Sequence, residues 1–228
     1  MSFWENFPSN RLLVDVSLWS ADFTRLGEEI IRLDPYADLY HIDVSDAHFV
    51  PGLLLFPDLV AALRPLTHRP FHVHLMTDNP LPHIAEFATA GADLITIHLE
   101  NGPRIPAALS AIHELGLASG LALGLDAPLE AVLPFLDQID ILILMGTPLG
   151  VKGLEPSQNA YHRVERMREL LNTPGASSGQ VKIAADGGIR THTVPALRRS
   201  GADLVVAGSL AFKSHDISQT FQWLHSLP

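Results

Sequence analysis

Short runs of apolar and β-branched residues recur along the whole chain, at 12–16, 39–44, 71–76, 94–99, 121–125, 141–145, 181–185 and 204–207. Each has the length of a buried strand and is too short for a typical helix. Between them, apolar residues recur at helical spacing. Leu26, Ile30 and Leu33 follow Ser20-Ala-Asp22, a helix start, while Leu59, Leu63 and Leu66 share one face, as do Ile84, Phe87 and Ala88. Helices over 107–115, 129–136, 161–171, 194–199 and 217–224 complete the alternation. Strand and helix repeated eight times define an α/β protein with a parallel sheet. The run starts lie roughly 27 residues apart, the spacing of a minimal (β/α)8 barrel. A doubly wound open sheet is the alternative, but residues 12–20 hold no glycine for its phosphate-binding first turn. The pattern therefore predicts a single (β/α)8 TIM barrel, α/β in class, over residues 1–228. Ala90-Gly-Ala-Asp93 and Ser200-Gly-Ala-Asp203 place Gly91 and Gly201 at left-handed C-caps just ahead of a strand. Segments 146–159 and 172–180 read as the mobile ones. In a barrel the first lies at the active-site end and the second at the opposite end.

Composition narrows the function. With 47% apolar and 18% charged residues the chain is globular, and 15 basic against 25 acidic side chains give a net charge of −10. That balance argues against non-specific binding to nucleic acid or anionic membranes. The absence of cysteine excludes disulfides, thiolate zinc sites and a cysteine nucleophile. Met-Ser-Phe-Trp-Glu-Asn at the N-terminus has no basic region ahead of an apolar one, and no run approaches the roughly 18 apolar residues of a membrane span. A soluble, cytoplasmic protein is expected. Of only three lysines, Lys182 stands near a strand start, away from the expected barrel mouth, and is a poor Schiff-base candidate. No Gly-x-Ser-x-Gly elbow is present.

Active sites of these barrels sit at the C-terminal strand ends, where several polar residues fall here. The second run ends His41-Ile-Asp43-Val-Ser45-Asp46, and alternation puts His41, Asp43 and Ser45 on one face. The third ends His72-Val-His74-Leu-Met76, the fourth Thr96-Ile-His98-Leu-Glu100, and the seventh at Asp186 before Gly187 and Gly188. Two histidines and two carboxylates at one mouth suit zinc, iron, manganese or cobalt, with positions left for substrate. Hydrogen-bonded core histidines are the competing account. Asp43 and Asp186, reached from opposite sides of the barrel, suit a base and an acid in proton transfer, or else helix caps and turn residues. Asp46 reads as a loop residue. Asp186-Gly-Gly-Ile189 and Ala207-Gly-Ser-Leu210 suit a phosphate held by backbone N–H groups, or tight turns alone.

His41-Ile-Asp-Val-Ser-Asp-Ala-His-Phe-Val-Pro-Gly52 resembles the ribulose-phosphate 3-epimerase signature, in which a His-x-Asp strand runs into Asp-Gly-x-Phe-Val-Pro-Asn. Ser17-Leu-Trp-Ser-Ala-Asp-Phe23, Val73-His-Leu-Met76, Ala90-Gly-Ala-Asp93, His98-Leu-Glu100, Ala185-Asp-Gly-Gly-Ile189 and Ala207-Gly-Ser209 extend the likeness over nearly the whole chain. The resemblance implies one divalent metal held by His41, Asp43, His74 and Asp186. It makes Asp43 and Asp186 the acid–base pair that inverts C3 of a ketose phosphate through an enediolate. It implies substrate contacts from Ser17, His74, Met76, Met145, Gly150, Gly153, Gly187, Gly188, Gly208 and Ser209. It also implies a homo-oligomer, and the apolar segment 49–56 is expected over the site or at an interface.

Three departures from the family pattern are expected where substrate is held. Ser45 replaces a methionine that caps the intermediate, making the cap wetter or adding a hydrogen bond. The sixth loop reads Leu149-Gly-Val-Lys-Gly-Leu154 in place of Pro-Gly-Phe-Gly-Gly-Gln, with Lys152 either charging a phosphate site or simply solvated. Leu125-Asp-Ala-Pro128 stands for the usual Asn-Pro-Gly-Thr. Ribulose 5-phosphate and xylulose 5-phosphate are the default pair, with six- or four-carbon ketose phosphates as alternatives. A sugar-phosphate decarboxylase is disfavoured because the second strand lacks the lysine of an Asp-x-Lys-x-x-Asp motif. A non-catalytic metabolite-binding barrel is the remaining reading.

Overall fold

The apolar runs become eight parallel strands that close in chain order: β1 (Leu13–Ser17), β2 (Leu39–Ser45), β3 (Phe71–Met76), β4 (Leu94–His98), β5 (Ala118–Leu123), β6 (Ile141–Met145), β7 (Lys182–Asp186) and β8 (Leu204–Ala207). The computed structural model describes residues 3–173 and 181–227. Most of the second segment expected to be mobile, residues 174–180, lies outside the described residues. Around the barrel run α1 (Leu26–Leu33), α2 (Pro57–Leu63), α3 (Leu81–Ala90), α4 (Ile105–Glu114), α5 (Ala160–Asn172), α6 (Val194–Arg199) and α8 (Ile217–Ser226), with the short α7 (Ser209–Phe212) following β8. This is a TIM barrel, as the spacing predicts.

Asp22 accepts from the Thr24 backbone N–H and starts the turn that feeds α1. Gly91 and Gly201 take φ of 102° and 109°, and the following Ala92 and Ala202 N–H groups reach back to the Phe87 and Leu197 carbonyls. Both helices thus end in the left-handed cap that their glycines predict. Two elements differ from the sequence pattern. The expected helix at 129–136 is a run of 3₁₀ turns over Leu129–Gln138, where Pro134 offers no N–H to a helical ladder. The expected strand at 121–125 begins earlier, because Ala118, Ser119 and Gly120 pair with Leu94, Ile95 and Thr96 of β4. Backbone pairing there runs through small residues with little apolar surface to signal it.

Strand alternation stacks the barrel interior in layers. Leu13, Leu39, Leu94, Ile141, Ala184 and Leu204 are buried in one cluster with Trp4, and the Trp4 indole N–H donates to the Asp140 carbonyl at 2.8 Å. Above these apolar residues the inward positions turn polar: Asp15 and Ser17 on β1, His41 and Asp43 on β2, His72 and His74 on β3, Thr96 and His98 on β4. The larger outer core lies between strands and helices and includes Val14, Ile42, Val73, Ile95, Leu121 and Leu142. Among the described residues, no helix is long and apolar enough to cross a membrane.

Candidate active site

Register brings the polar ends of neighbouring strands level. His41 pairs with His72 and Ser17, Asp43 with His74, and Asp186 with Met145. One ligand atom from each of His41, Asp43, His74 and Asp186 lies within 4.8 Å of the others. His41 Nε2 stands 3.4 Å from Asp43 Oδ1, 4.0 Å from Asp186 Oδ2 and 3.3 Å from His74 Nδ1. His74 Nδ1 is 3.5 Å from Asp43 Oδ1 and 3.9 Å from Asp186 Oδ2. Ser17 donates its hydroxyl to Asp43 Oδ2 at 2.8 Å.

The electrostatics of the pair diverge. Burial works against ionisation of Asp43, yet His41 and His74 beside it hold its carboxyl far below the usual range. Asp186 is pushed up instead, to about 6: burial, helped by the charges of Asp43 and Asp15, outweighs the pull of His41 and His74. His41 is raised well above an ordinary histidine because Asp43 and Asp15 flank it, despite its complete burial.

The donor set fits a divalent cation. Two imidazole nitrogens and two carboxylate oxygens converge at one buried point, a mixture suited to zinc, iron, manganese or cobalt. Two ring nitrogens 3.3 Å apart need a proton or a cation between their lone pairs.

A cavity of about 400 Å³ opens above this cluster. Of the residues expected to contact substrate, Ser17, Met76, Met145, Gly150, Gly153, Gly187, Gly188, Gly208 and Ser209 line it, together with Asp43 and Asp186. His74 does not line it: the ring is fully buried beneath the floor, beside His41. The two aspartates reach the cluster from strands three apart around the barrel, not from diametrically opposite ones. The glycines have steric reasons of their own, since a Cβ on Gly188 would lie 2.5 Å from Pro156 N and one on Gly208 2.4 Å from Ser20 Oγ.

Only one of the three departures from the family pattern lies at the cavity. Gly150, Val151, Lys152, Gly153 and Leu154 line it, whereas Ser45 and residues 125–128 do not. Ser45 donates to the Gly52 carbonyl at 2.8 Å and so takes the hydrogen-bonding option, away from the cavity. Arg163 donates to the carbonyls of Gly124 and Ala127 and thereby holds the fifth loop aside. Lys152 reaches over the mouth to the Trp19 carbonyl and lies over the Trp19 ring, 4.3 Å from its centroid. Asp46 is a loop residue: it accepts from the backbone of His48, Phe49 and Asp78. Within segment 49–56, Val50 and Leu55 are buried and Phe49 packs on His98, while Leu53 and Phe56 are exposed.

Of the tier behind the cluster, the sequence pattern marks His72, Thr96, His98 and Glu100 at strand ends but misses Asp15. Asp15 Oδ2 sits 2.9 Å from His41 Nδ1 and 2.6 Å from His72 Nδ1, and His72 Nε2 is 2.7 Å from Thr96 Oγ1. His74 Nε2 is 2.8 Å from His98 Nε2, whose other nitrogen lies 3.2 Å from Glu100 Oε2. An acidic residue alternating with Ser17 inside an otherwise apolar strand is the one hint of Asp15, and it names none of its partners.

A closed barrel with two carboxylates and two imidazoles under a polar cavity has the arrangement suited to acid–base chemistry and to holding a metal. Comparison with known proteins agrees. The ribulose-phosphate 3 epimerase family matches residues 13–212. The ribulose-phosphate 3-epimerase of Bacillus subtilis (strain 168) is 34% identical over 201 residues, covering 88% of this chain and 92% of that protein. That of Rhodobacter capsulatus is 38% identical over 203 residues, covering 89% and 86%. Among solved structures, orotidine 5'-phosphate decarboxylase from Pyrococcus horikoshii matches with a TM-score of 0.66 at 14% identity, over 93% of this chain and 97% of that one, a likeness of fold alone. The chain belongs to the ribulose-phosphate 3-epimerase family and is an epimerase, an isomerase of carbohydrates.

Proposed function

We propose that the chain inverts C3 of a pentose phosphate, interconverting ribulose 5-phosphate and xylulose 5-phosphate, with Asp43 and Asp186 as the acid–base pair. The observation that carries this is the convergence of the two carboxylates at the floor of one cavity, in environments that push their proton affinities apart. One aspartate takes the C3 proton. The C–H electron pair then forms the C2–C3 double bond, and the carbonyl π pair moves to oxygen, leaving an enediolate. The other aspartate returns a proton to the opposite face of C3, and the carbonyl re-forms. Asp43, held ionised, suits the base for one epimer, and Asp186, with its raised proton affinity, suits the acid.

Ser17 keeps Asp43 Oδ2 fixed through its hydroxyl. A divalent metal held by His41, Asp43, His74 and Asp186 would supply Lewis-acid polarisation of the C2 carbonyl. Met76 and Met145 line the cavity with apolar surface that keeps water from the carbanion.

The phosphate belongs at the side of the cavity lined by Gly187, Gly188, Gly208 and Ser209. Lys152, Arg190 and Lys213 line the same cavity, and among the described residues none of the three is ion-paired to a carboxylate. That concentration of unpaired cations in an acidic protein supports a dianionic substrate. A ketose phosphate of another chain length is the second reading, favoured by the changed 150–154 loop at the cavity wall.

The test is proton NMR of metal-loaded enzyme with ribulose 5-phosphate in D2O. Deuterium at C3 with build-up of xylulose 5-phosphate is expected. Asp43→Asn and Asp186→Asn should each lower turnover by about 10²–10⁴-fold with the fold intact. A folded, metal-bound enzyme that neither exchanges nor converts this sugar removes it as substrate.

A further inference from the structure

Two buried chains of hydrogen bonds lead away from the ligand cluster, and each contains one carboxylate. The first is Thr96–His72–Asp15–His41. Asp15 Oδ2 lies between two ring nitrogens, 2.9 Å from His41 Nδ1 and 2.6 Å from His72 Nδ1, and a carboxylate oxygen shared in this way accepts from both. His41 and His72 must therefore both donate from Nδ1 to Asp15 Oδ2. The Thr96 hydroxyl completes the chain by donating to His72 Nε2. The remaining His41 nitrogen, Nε2, is the one that faces His74, Asp43 and Asp186.

The second chain is Glu100–His98–His74. Glu100 accepts the Gly124 backbone N–H on Oε1 at 2.9 Å and faces His98 Nδ1 with Oε2. With His98 donating from Nδ1 to Glu100, its Nε2 accepts, and His74 donates from Nε2. The free lone pair of His74 is then on Nδ1, which faces the same point as His41 Nε2.

Stability does not account for the first chain. Asp15 is completely buried, its Oδ1 has no hydrogen-bond partner among the described residues, and apolar residues at such positions are often neutral or stabilising. Gly120 makes room for it as well, since a Cβ there would come within 2.2 Å of Thr96 Oγ1.

We infer that Asp15 and Glu100 are positioning residues that lock the two histidines in opposite tautomers, His41 protonated on Nδ1 and His74 on Nε2, so that one lone pair from each meets at the metal position. The inference rests on the proposed metal role of the cluster. Asp15, His41 and His72 are also close enough to be taken for a second metal group. Donor–acceptor distances of 2.6 and 2.9 Å with the hydrogens between them make this a hydrogen-bonded set instead.

The experiment uses the full chain loaded with zinc. Long-range ¹⁵N–¹H NMR should show one zinc-bound histidine protonated at Nδ1, His41, and one at Nε2, His74. Either ring protonated at the other nitrogen overturns the inference. Zinc affinity, read by competition with a chromophoric chelator, should fall about 10–100-fold in Asp15→Asn and in Glu100→Gln. Folded variants with unchanged affinity overturn it too, as does a stoichiometry of two zinc ions per chain. If Asp15→Asn fails to fold, the NMR of the unaltered protein decides. Unaltered protein that takes up no zinc overturns the metal reading itself, a result distinct from a failure confined to the variants.

Discussion

Asp38 shows how much one buried carboxylate can organise. Arg11 donates to both of its oxygens, at 2.9 and 2.6 Å, the Val14 N–H donates at 2.9 Å, and His225 of α8 lies 3.1 Å away. A single side chain thus ties the entry of β1 to the last helix. Burial opposes its ionisation, but the Arg11, His225 and Val14 hydrogen bonds hold its carboxyl below the usual range. A folded-state value below the unfolded one stabilises the protein above the unfolded pKa of about 4, and that contribution fades as pH falls through the folded value. Asp38→Asn should therefore cost about 2–3 kcal/mol at pH 7. In urea titrations across pH, the gap between the two proteins should shrink below about pH 4. A gap independent of pH would show that charge at Asp38 is not the cause. Residues such as Asp43, His74 and Asp186 are legible in the sequence because they stand at strand ends, where alternation and fold class give them a direction. Asp38 and Asp15 are not, because one polar residue beside or inside an apolar run carries no mark of the partners that distant segments bring to it.

At the scale of elements, apolar runs mark most of the barrel strands to within a residue or two, since a strand buried on both faces needs apolar side chains along most of its length. The fifth strand departs from this rule. Its first half is Ala118, Ser119 and Gly120, and its place is set by contacts with its neighbours rather than by its own hydrophobicity. A Cβ on Gly120 would meet Thr96 Oγ1 at 2.2 Å and Ile141 Cγ2 at 2.4 Å. Gly120→Ala should then destabilise the protein by about 1–3 kcal/mol, the usual cost of overpacking. Because Thr96 donates to His72, the variant should also weaken zinc binding, whereas Gly116→Ala, strained at its φ of 73° but on the surface away from the site, should lower stability and leave zinc binding unchanged. Thermal unfolding with and without zinc separates the two effects: a fall in Tm that zinc reverses equally in both proteins would confine Gly120 to packing. The 3₁₀ segment at Leu129–Gln138 has the opposite character. Its apolar spacing reads as helical, and a single proline changes the hydrogen-bond ladder without changing the buried face of Leu129, Val132 and Leu136.

For the whole molecule, net charge and local charge point in opposite directions. A formal charge of −10 repels a sugar phosphate at long range, yet the cavity above Asp43 and Asp186 is lined by Lys152, Arg190 and Lys213. Burial and the neighbouring Lys213 hold the Lys152 amine below its usual range, against the attraction of Asp43. Two cations that raise each other's energy in this way gain the most from a dianion placed near them. At an ionic strength of 0.15 M screening reduces interactions beyond about 8 Å, so the repulsive bulk charge is largely silenced while contacts at the mouth persist. Lys213 is exposed and, among the described residues, its side chain makes no hydrogen bond or ion pair while its backbone N–H keeps the Ser209 carbonyl, so truncating the side chain should leave the fold untouched. Lys213→Ala should raise KM for the phosphorylated substrate about two- to fivefold, the worth of a partly solvated charge contact, with kcat unchanged. Added salt should raise KM in the unaltered enzyme more steeply than in the variant. Equal salt dependence in the two proteins would place the phosphate beyond the reach of Lys213. The backbone of Gly187, Gly188 and Gly208 would then carry the phosphate, with help only from Lys152 and Arg190.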